Sequence, residues 1–155
     1  MNSTLPVLDK IKKILDENKI EYKLKHHEPT YTSEQSAKAR GDSMKQGAKA
    51  IIMKTDDGFV LAVLSAEKKI NSKKLKKVLN SKKISFADSD KVKSFGLQPG
   101  GIPPFGSVLG LQMYVDKSLL ENEEISFNAG SLTDSIKMSL QDYIKLENPI
   151  IADFS

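Results

Sequence analysis

The segment from Gly96 to Gly106 interleaves Gly96, Gly100, Gly101 and Gly106 with Pro99, Pro103 and Pro104. Proline fixes some of its backbone angles, while glycine lets bare N–H groups come close to an oxygen atom. Such a loop can cradle an acyl or phosphate oxygen, or it can be a rigid surface connection. It lacks the Gly-Lys-Ser/Thr of a phosphate loop and the Gly-x-Gly-x-x-Gly of a dinucleotide site. Lys49 is the second unusual residue, because it sits between Ala48 and Ala50 at the head of an apolar run and alternation puts it on one face with Ile51 and Met53. A partly buried ammonium invites a phosphate or carboxylate as partner. The alternative is a lysine whose stem lies along the strand while its head escapes to water.

Phe127-Asn128-Ala129-Gly130-Ser131-Leu132-Thr133-Asp134-Ser135 places small and hydroxyl-bearing residues at a strand end. That composition suits recognition of a small polar group, with Ser131 or Thr133 to orient water; it also suits a plain turn. His26 and His27 adjoin Glu28, but neighbouring residues on a strand face opposite ways and cannot share one metal without distortion. His27 is left as a substrate contact or proton carrier, or as a structural histidine. No Gly-x-Ser-x-Gly nucleophile motif is present, and no serine–histidine–acid triad can be argued from spacing. Covalent catalysis is therefore disfavoured.

The elements that must position these residues are legible from periodicity. Val7, Leu8, Ile11, Ile14 and Leu15 form one face of a helix that starts at Thr4 or Pro6 and stops near Asn18. Glu21–His26 alternates as a half-buried strand, and Thr32 or Ser33 opens a short helix that Gly41 ends. The apolar runs Ala48–Met53 and Phe59–Ala66, joined by Thr55-Asp56-Asp57-Gly58, predict a buried hairpin. Asn71 or Ser72 caps a helix that turns Leu75, Val78 and Leu79 inward. Strands follow at Ile84–Ala87, Val108–Val115, Glu124–Asn128 and Ser135–Ser139, with a helical turn at Asp88–Ser94 and a closing helix at Leu140–Leu146. Many strands joined by short turns predict an α+β domain, with a mixed, curved, mostly antiparallel and barrel-like sheet flanked by helices.

A chain of 155 residues with 39% apolar content has room for one sizeable core, so residues 1–155 are expected to form one domain. The absence of cysteine excludes a disulfide framework, a thiolate nucleophile and cysteine-bound zinc or iron–sulfur sites. No stretch approaches the length of a membrane span and Met1–Lys10 does not resemble a secretory signal, so a soluble, cytoplasmic protein is expected. The 24 Lys and Arg exceed the 20 Asp and Glu, and eight lysines fall between Lys68 and Lys83. That cluster is either a site for a polyanion or the wet face of a helix. The near absence of arginine argues against reading of base edges.

Taken together, the motifs resemble the YbaK-like, prolyl-tRNA synthetase-associated editing domains over roughly Ile20 to Leu146. His27-Glu28-Pro29, Thr32-Ser33-Glu34-Gln35-Ser36-Ala37, Gly47-Ala48-Lys49-Ala50, Gly100-Gly101-Ile102-Pro103-Pro104-Phe105-Gly106 and Phe127-Asn128-Ala129-Gly130-Ser131 occur in the family's order. The resemblance implies hydrolysis, by water, of the ester that joins a wrong amino acid to the 3′ end of tRNA. It implies no metal and no organic cofactor. Lys49 matches the family's active-site lysine, and Gly100 to Pro104 its Gly-x-x-x-Pro loop. Lys49, Gly100 and Gly101 are thereby the candidate catalytic residues. His27, Ile102, Pro103, Pro104, Phe105, Asn128, Ala129, Gly130 and Ser131 are the candidate substrate contacts, with selectivity expected around Asn128 to Ser131. That last stretch departs from the Ser-Gly-Gly-Lys-like versions of relatives, which leaves alanine, cysteine, serine and threonine esters open.

No synthetase catalytic domain fits in the chain, so action in trans on aminoacylated tRNA is expected, with a synthetase or an elongation factor as a neighbouring partner and no membrane. The competing expectations are a noncatalytic module that binds tRNA or a synthetase, and a hydrolase of small aminoacyl or nucleotide esters.

Overall fold

Local signals place most of the elements. The computed structural model describes residues 5–155, so the Thr4 start signal lies outside the described residues. Helix α1 (Val7–Glu17) buries Val7, Ile11 and Leu15 on one stripe and ends at Asn18. Strand β1 (Tyr22–His26) follows; it is an edge strand, and Leu24 is 43% exposed rather than half-buried as its alternation suggested. Helix α2 (Ser33–Arg40) opens where the Thr32 hydroxyl accepts from the N–H of Gln35, and closes on left-handed Gly41.

Strands β2 (Ala48–Thr55) and β3 (Gly58–Ser65) form the expected antiparallel hairpin, with Thr55 opposite Gly58. Helix α3 (Ser72–Leu79) is capped by the Asn71 side chain and buries Leu75. Strand β4 (Ser85–Phe86) and helix α4 (Ser89–Ser94, capped by Asp88) lead into the glycine–proline loop.

Beyond that loop the expectation fails in one place. Val108 to Gln112 is not strand: Gly106–Leu109 is a helical turn, α5, stopped by left-handed Gly110, and strand β5 is confined to Met113–Asp116. Strands β6 (Glu124–Asn128) and β7 (Asp134–Ser139) and helix α6 (Leu140–Glu147) match expectation closely. A last strand, β8 (Ile150–Ala152), was not foreseen.

The strands build a mixed α+β architecture in two sheets, β1-β7-β6 and β4-β2-β3-β5-β8. Pairing is antiparallel except for β3 with β5 and β5 with β8. A parallel bridge between Gly47 and Ser126 links the two sheets, which do not close into a barrel.

The larger sheet is covered on both faces, which is why β2 and β3 read as continuous apolar runs. Ile52, Leu61, Val63 and Val115 face a large core shared with α1 and the smaller sheet. Met53, Ala62 and Leu64 face a second cluster closed by Leu75 of α3 and by Phe154. Asp116, wholly buried, ties the C-terminal segment down by accepting from the N–H groups of Phe154 (2.7 Å) and Ser155 (3.1 Å). Among the described residues no helix is long and apolar enough to cross a membrane.

Candidate functional site

The glycine–proline loop is held from below by aromatic packing. Phe105 is fully buried, with its ring centroid 5.3 Å from that of Phe127 and 5.7 Å from that of Tyr143. The Tyr143 hydroxyl, whose pKa burial pushes well above the usual tyrosine value, donates to the Pro104 carbonyl at 2.6 Å. Above this anchor, a methyl group on Gly101 would lie 3.2 Å from the Ser131 backbone, so loop and β6–β7 turn touch through their main chains. Gly100 then lines a cavity of about 290 Å3 together with Ile102, Asn128, the start of β2 and helix α2.

Four of the twelve sequence-predicted site residues line this cavity: Lys49, Gly100, Ile102 and Asn128. The rest stand behind it. Gly101 gives its N–H to the Gln98 carbonyl at 2.9 Å, so that amide is occupied by the loop's own turn. No acceptor among the described residues takes the N–H of Gly100 or Ile102, which leaves these two as the loop's available backbone donors at the wall. Pro103, Pro104 and Phe105 are buried as the loop's footing. Ala129 is buried in the large core, and Gly130 (φ 88°) packs against Val7 of α1. The Ser131 hydroxyl is committed to its own turn, accepting from the N–H groups of Thr133 (3.2 Å) and Asp134 (3.1 Å) and donating to Asp134 Oδ2 (2.8 Å).

Lys49 is partly buried, as its neighbours suggested, and shares its face with Ile51 and Met53. Its ammonium donates to the Lys68 carbonyl at 2.6 Å. Burial, and then the nearby charge of Lys69, hold its pKa below the usual lysine value. Among the described residues no carboxylate pairs with this cation.

The residue that composition reasoning passed over is Arg40, the chain's one arginine. It enters the cavity from the last turn of α2. Its Nε–H donates to Ser135 Oγ and its Nη2–H to Asn128 Oδ1, both at 2.9 Å. The Asn128 amide passes the order on, donating to the Gly100 carbonyl at 2.7 Å. In the other direction, His27 Nδ1 lies 2.8 Å from the Glu28 carbonyl, an acceptor only, so Nδ1 carries the proton. His27 Nε2 then accepts from the Ser135 hydroxyl at 2.8 Å. His27 is thus a member of the hydrogen-bond chain behind the cavity and not part of its wall. His26 takes a different partner, Asp134 Oδ1, at 2.9 Å.

Burial lowers the Arg40 pKa to about 10 against the opposing pull of Asp42, so the guanidinium is charged at neutral pH. Asp42 itself is engaged by Lys137 and by Ser126 Oγ. Nη1 of Arg40 meets no acceptor among the described residues. Two cations, two backbone N–H groups and a wall carrying Thr30, Thr32, Ser33 and Ser36 therefore surround a space fit for an anionic or oxygen-rich ligand. Tyr31, 71% exposed, stands at its rim. The edge of β2 away from β3 adds to this: β4 pairs there only with Met53 and Lys54, so among the described residues no strand covers that edge from Ala48 to Ile51, where it borders the cavity.

The profile of the family described as aminoacyl-tRNA editing domain matches residues 27–146. The chain is 29% identical to a multifunctional Ser/Thr-tRNA deacylase, ProXp-y, of Escherichia coli K12, over 91% of this chain and 88% of that one. It is 27% identical to the prolyl-tRNA editing protein ProX of Acetoanaerobium sticklandii, over 85% of each. A crystal structure provisionally described as a trans-editing enzyme for prolyl-tRNA synthetase superposes with a TM-score of 0.86 at 21% identity over 97% of both chains, a likeness of fold.

Proposed function

The chain belongs to the aminoacyl-tRNA editing domain family, and from that premise we propose that it is a trans-acting aminoacyl-tRNA deacylase that hydrolyses the 3′ ester of mischarged tRNA in the cytoplasm. The observation that carries this reading is the cavity whose wall brings together Lys49, Arg40 and the Gly100 and Ile102 amides, with no carboxylate among the described residues paired to Lys49.

The chemistry is positional. The ester carbonyl develops negative charge as water adds, and fixed donors in a partly dry site stabilise that charge without reorganising. Gly100 and Ile102 N–H are the donors for the carbonyl or ribose oxygen. Lys49 and Arg40 hold the terminal phosphate or polarise the ester. The serine, threonine and asparagine groups of the wall order the attacking water, and the reaction needs no protein nucleophile. Tyr31 offers an aromatic face on which the terminal base can stack.

Selectivity is assigned to the wall formed by α2 and β2 instead of the Asn128 to Ser131 stretch, of which only Asn128 reaches the cavity. Thr30 Oγ1 and Ser36 Oγ, 2.9 Å apart and both buried, give that wall a polar floor. A site built to hydrogen-bond a hydroxyl favours substrates that bring one, so serine and threonine esters are the preferred small aminoacyl groups. Their size also agrees with the substrates named for the Escherichia coli relative. A panel of tRNAs charged with serine, threonine, alanine and cysteine tests this: ester loss above buffer should be fastest for the hydroxylated pair, and equal rates for alanine would remove the polar floor from the explanation.

A further inference from the structure

A second groove, of about 110 Å3, opens on the outer face of the smaller sheet, and Arg40 lines it as well as the cavity. Alternation along β1 and β7 puts Lys23, Lys25, Ser135 and Lys137 on this face, with Lys23 directly opposite Lys137 and Lys25 opposite Ser135. Like charges facing each other across a strand pair are destabilising unless something neutralises them. Lys137 is met by Asp42, whose other oxygen accepts from Ser126 Oγ. Among the described residues no carboxylate pairs with Lys23 or Lys25. The result is a row of cations with one acid in it, running up to a guanidinium that also faces the proposed reaction site.

We infer that this groove carries the phosphate backbone of the tRNA's single-stranded 3′ end into the cavity, with Arg40 as the cation shared by groove and site. The inference rests on the deacylase reading and adds a path to it. The lysine-rich helix α3 is assigned no part. It packs Leu75 into the second apolar cluster, and its Lys74 is taken by Asp153 (3.3 Å) and by the Ser155 carbonyl (3.1 Å). Its lysines are the wet side of a helix.

Each phosphate contact on a single strand contributes about −0.7 to the slope of log affinity against log salt, which over a decade of salt is roughly five-fold in affinity. The test compares kcat/KM on charged tRNA with kcat/KM on the matching 3′-aminoacyl adenosine, over a salt series, for wild type, Lys23→Gln/Lys25→Gln, Lys23→Arg/Lys25→Arg and Lys73→Gln/Lys76→Gln/Lys77→Gln. The expected result for the glutamine pair is a fall of roughly 25-fold in the tRNA-to-adenosine ratio at 0.1 M salt and a salt slope shallower by about 1.4. The arginine pair should restore both, and the α3 variant should match wild type. An unchanged ratio and slope in the glutamine pair, or a loss appearing in the α3 variant instead, overturns the groove. If the wild-type protein cleaves neither substrate, it is the deacylase reading that falls.

Discussion

Arg40→Lys and Arg40→Met separate what the guanidinium does by charge from what it does by shape. Its two hydrogen bonds, to Ser135 Oγ and Asn128 Oδ1, diverge from one planar group. A lysine ammonium is a point charge on a flexible stem and cannot span both acceptors. Losing one hydrogen bond to a charged group costs about 1.5–3 kcal/mol, and at about 1.4 kcal/mol per decade that is roughly 10- to 100-fold in rate where the bond acts in the transition state. The loss is transmitted, because Asn128 also orients the Gly100 carbonyl at 2.7 Å. In Arg40→Met both bonds go, but so does the burial of a cation, and the stability change is expected to stay within about 3 kcal/mol. Single-turnover deacylation with label in the terminal adenosine gives the rate, and urea denaturation gives the stability. The expected pattern is a rate loss that exceeds the stability loss and is only partly recovered by lysine. A fully active Arg40→Lys would reduce the residue to its charge, and a fully active Arg40→Met would remove it from the site.

Gly130→Ala should destabilise by about 1–3 kcal/mol, since the backbone is left-handed and the new methyl would sit 2.7 Å from Val7 Cγ1; Val7→Ala in the same chain should recover part of the loss in urea unfolding. Burial raises the Asp116 pKa, but the N–H of Phe154 and the hydroxyl and N–H of Ser118 together lower it further, for a net value below the ordinary carboxylate. Its contribution is therefore complete above the unfolded value of about 4 and is lost as pH falls through the folded one; the melting temperature of Asp116→Asn should change less than that of wild type over that acid window. Because burial and Lys69 depress Lys49, the alkaline fall of turnover above buffer should begin below the ordinary lysine range, and Lys69→Gln should move it to higher pH. A limb that stays in place in that variant would show that a different group titrates.

The fold was legible wherever local chemistry and burial agree. Thr32 and Gly41 bracket α2 because a hydroxyl cap and a left-handed stop are written in single residues, and the Asp56-Asp57 turn fixes the β2–β3 register. Val108 to Gln112 misled because apolar content does not distinguish a strand from one turn of helix; the left-handed Gly110, inside the run, carried the missing signal. Strand β8 is three residues long and owes its place to parallel pairing with β5, a tertiary cause with no local periodicity.

The site was legible as a set of motifs but not as a geometry. Lys49 and Gly100, both in the cavity wall, stand out in the sequence because a lysine in an apolar run and a glycine–proline loop are anomalies of type. Phe105 and Ala129 were drawn in by adjacency and prove to be core, where their side chains set the backbone of their neighbours. Arg40 was missed because it sits at a helix end, where a basic residue is ordinary. Its being the only arginine among so many lysines was the available clue, since a planar fork is wanted where two acceptors must be met at once.

The most direct measurement is ester loss from seryl- and threonyl-tRNA incubated with purified wild-type protein and with Lys49→Ala, followed against buffer at equal pH. Hydrolysis well above buffer for wild type, reduced by roughly 100-fold or more in Lys49→Ala with unfolding unchanged, is the result expected from a cavity that works by fixed cations and amides. Wild-type protein that leaves both esters at the buffer rate would contradict it.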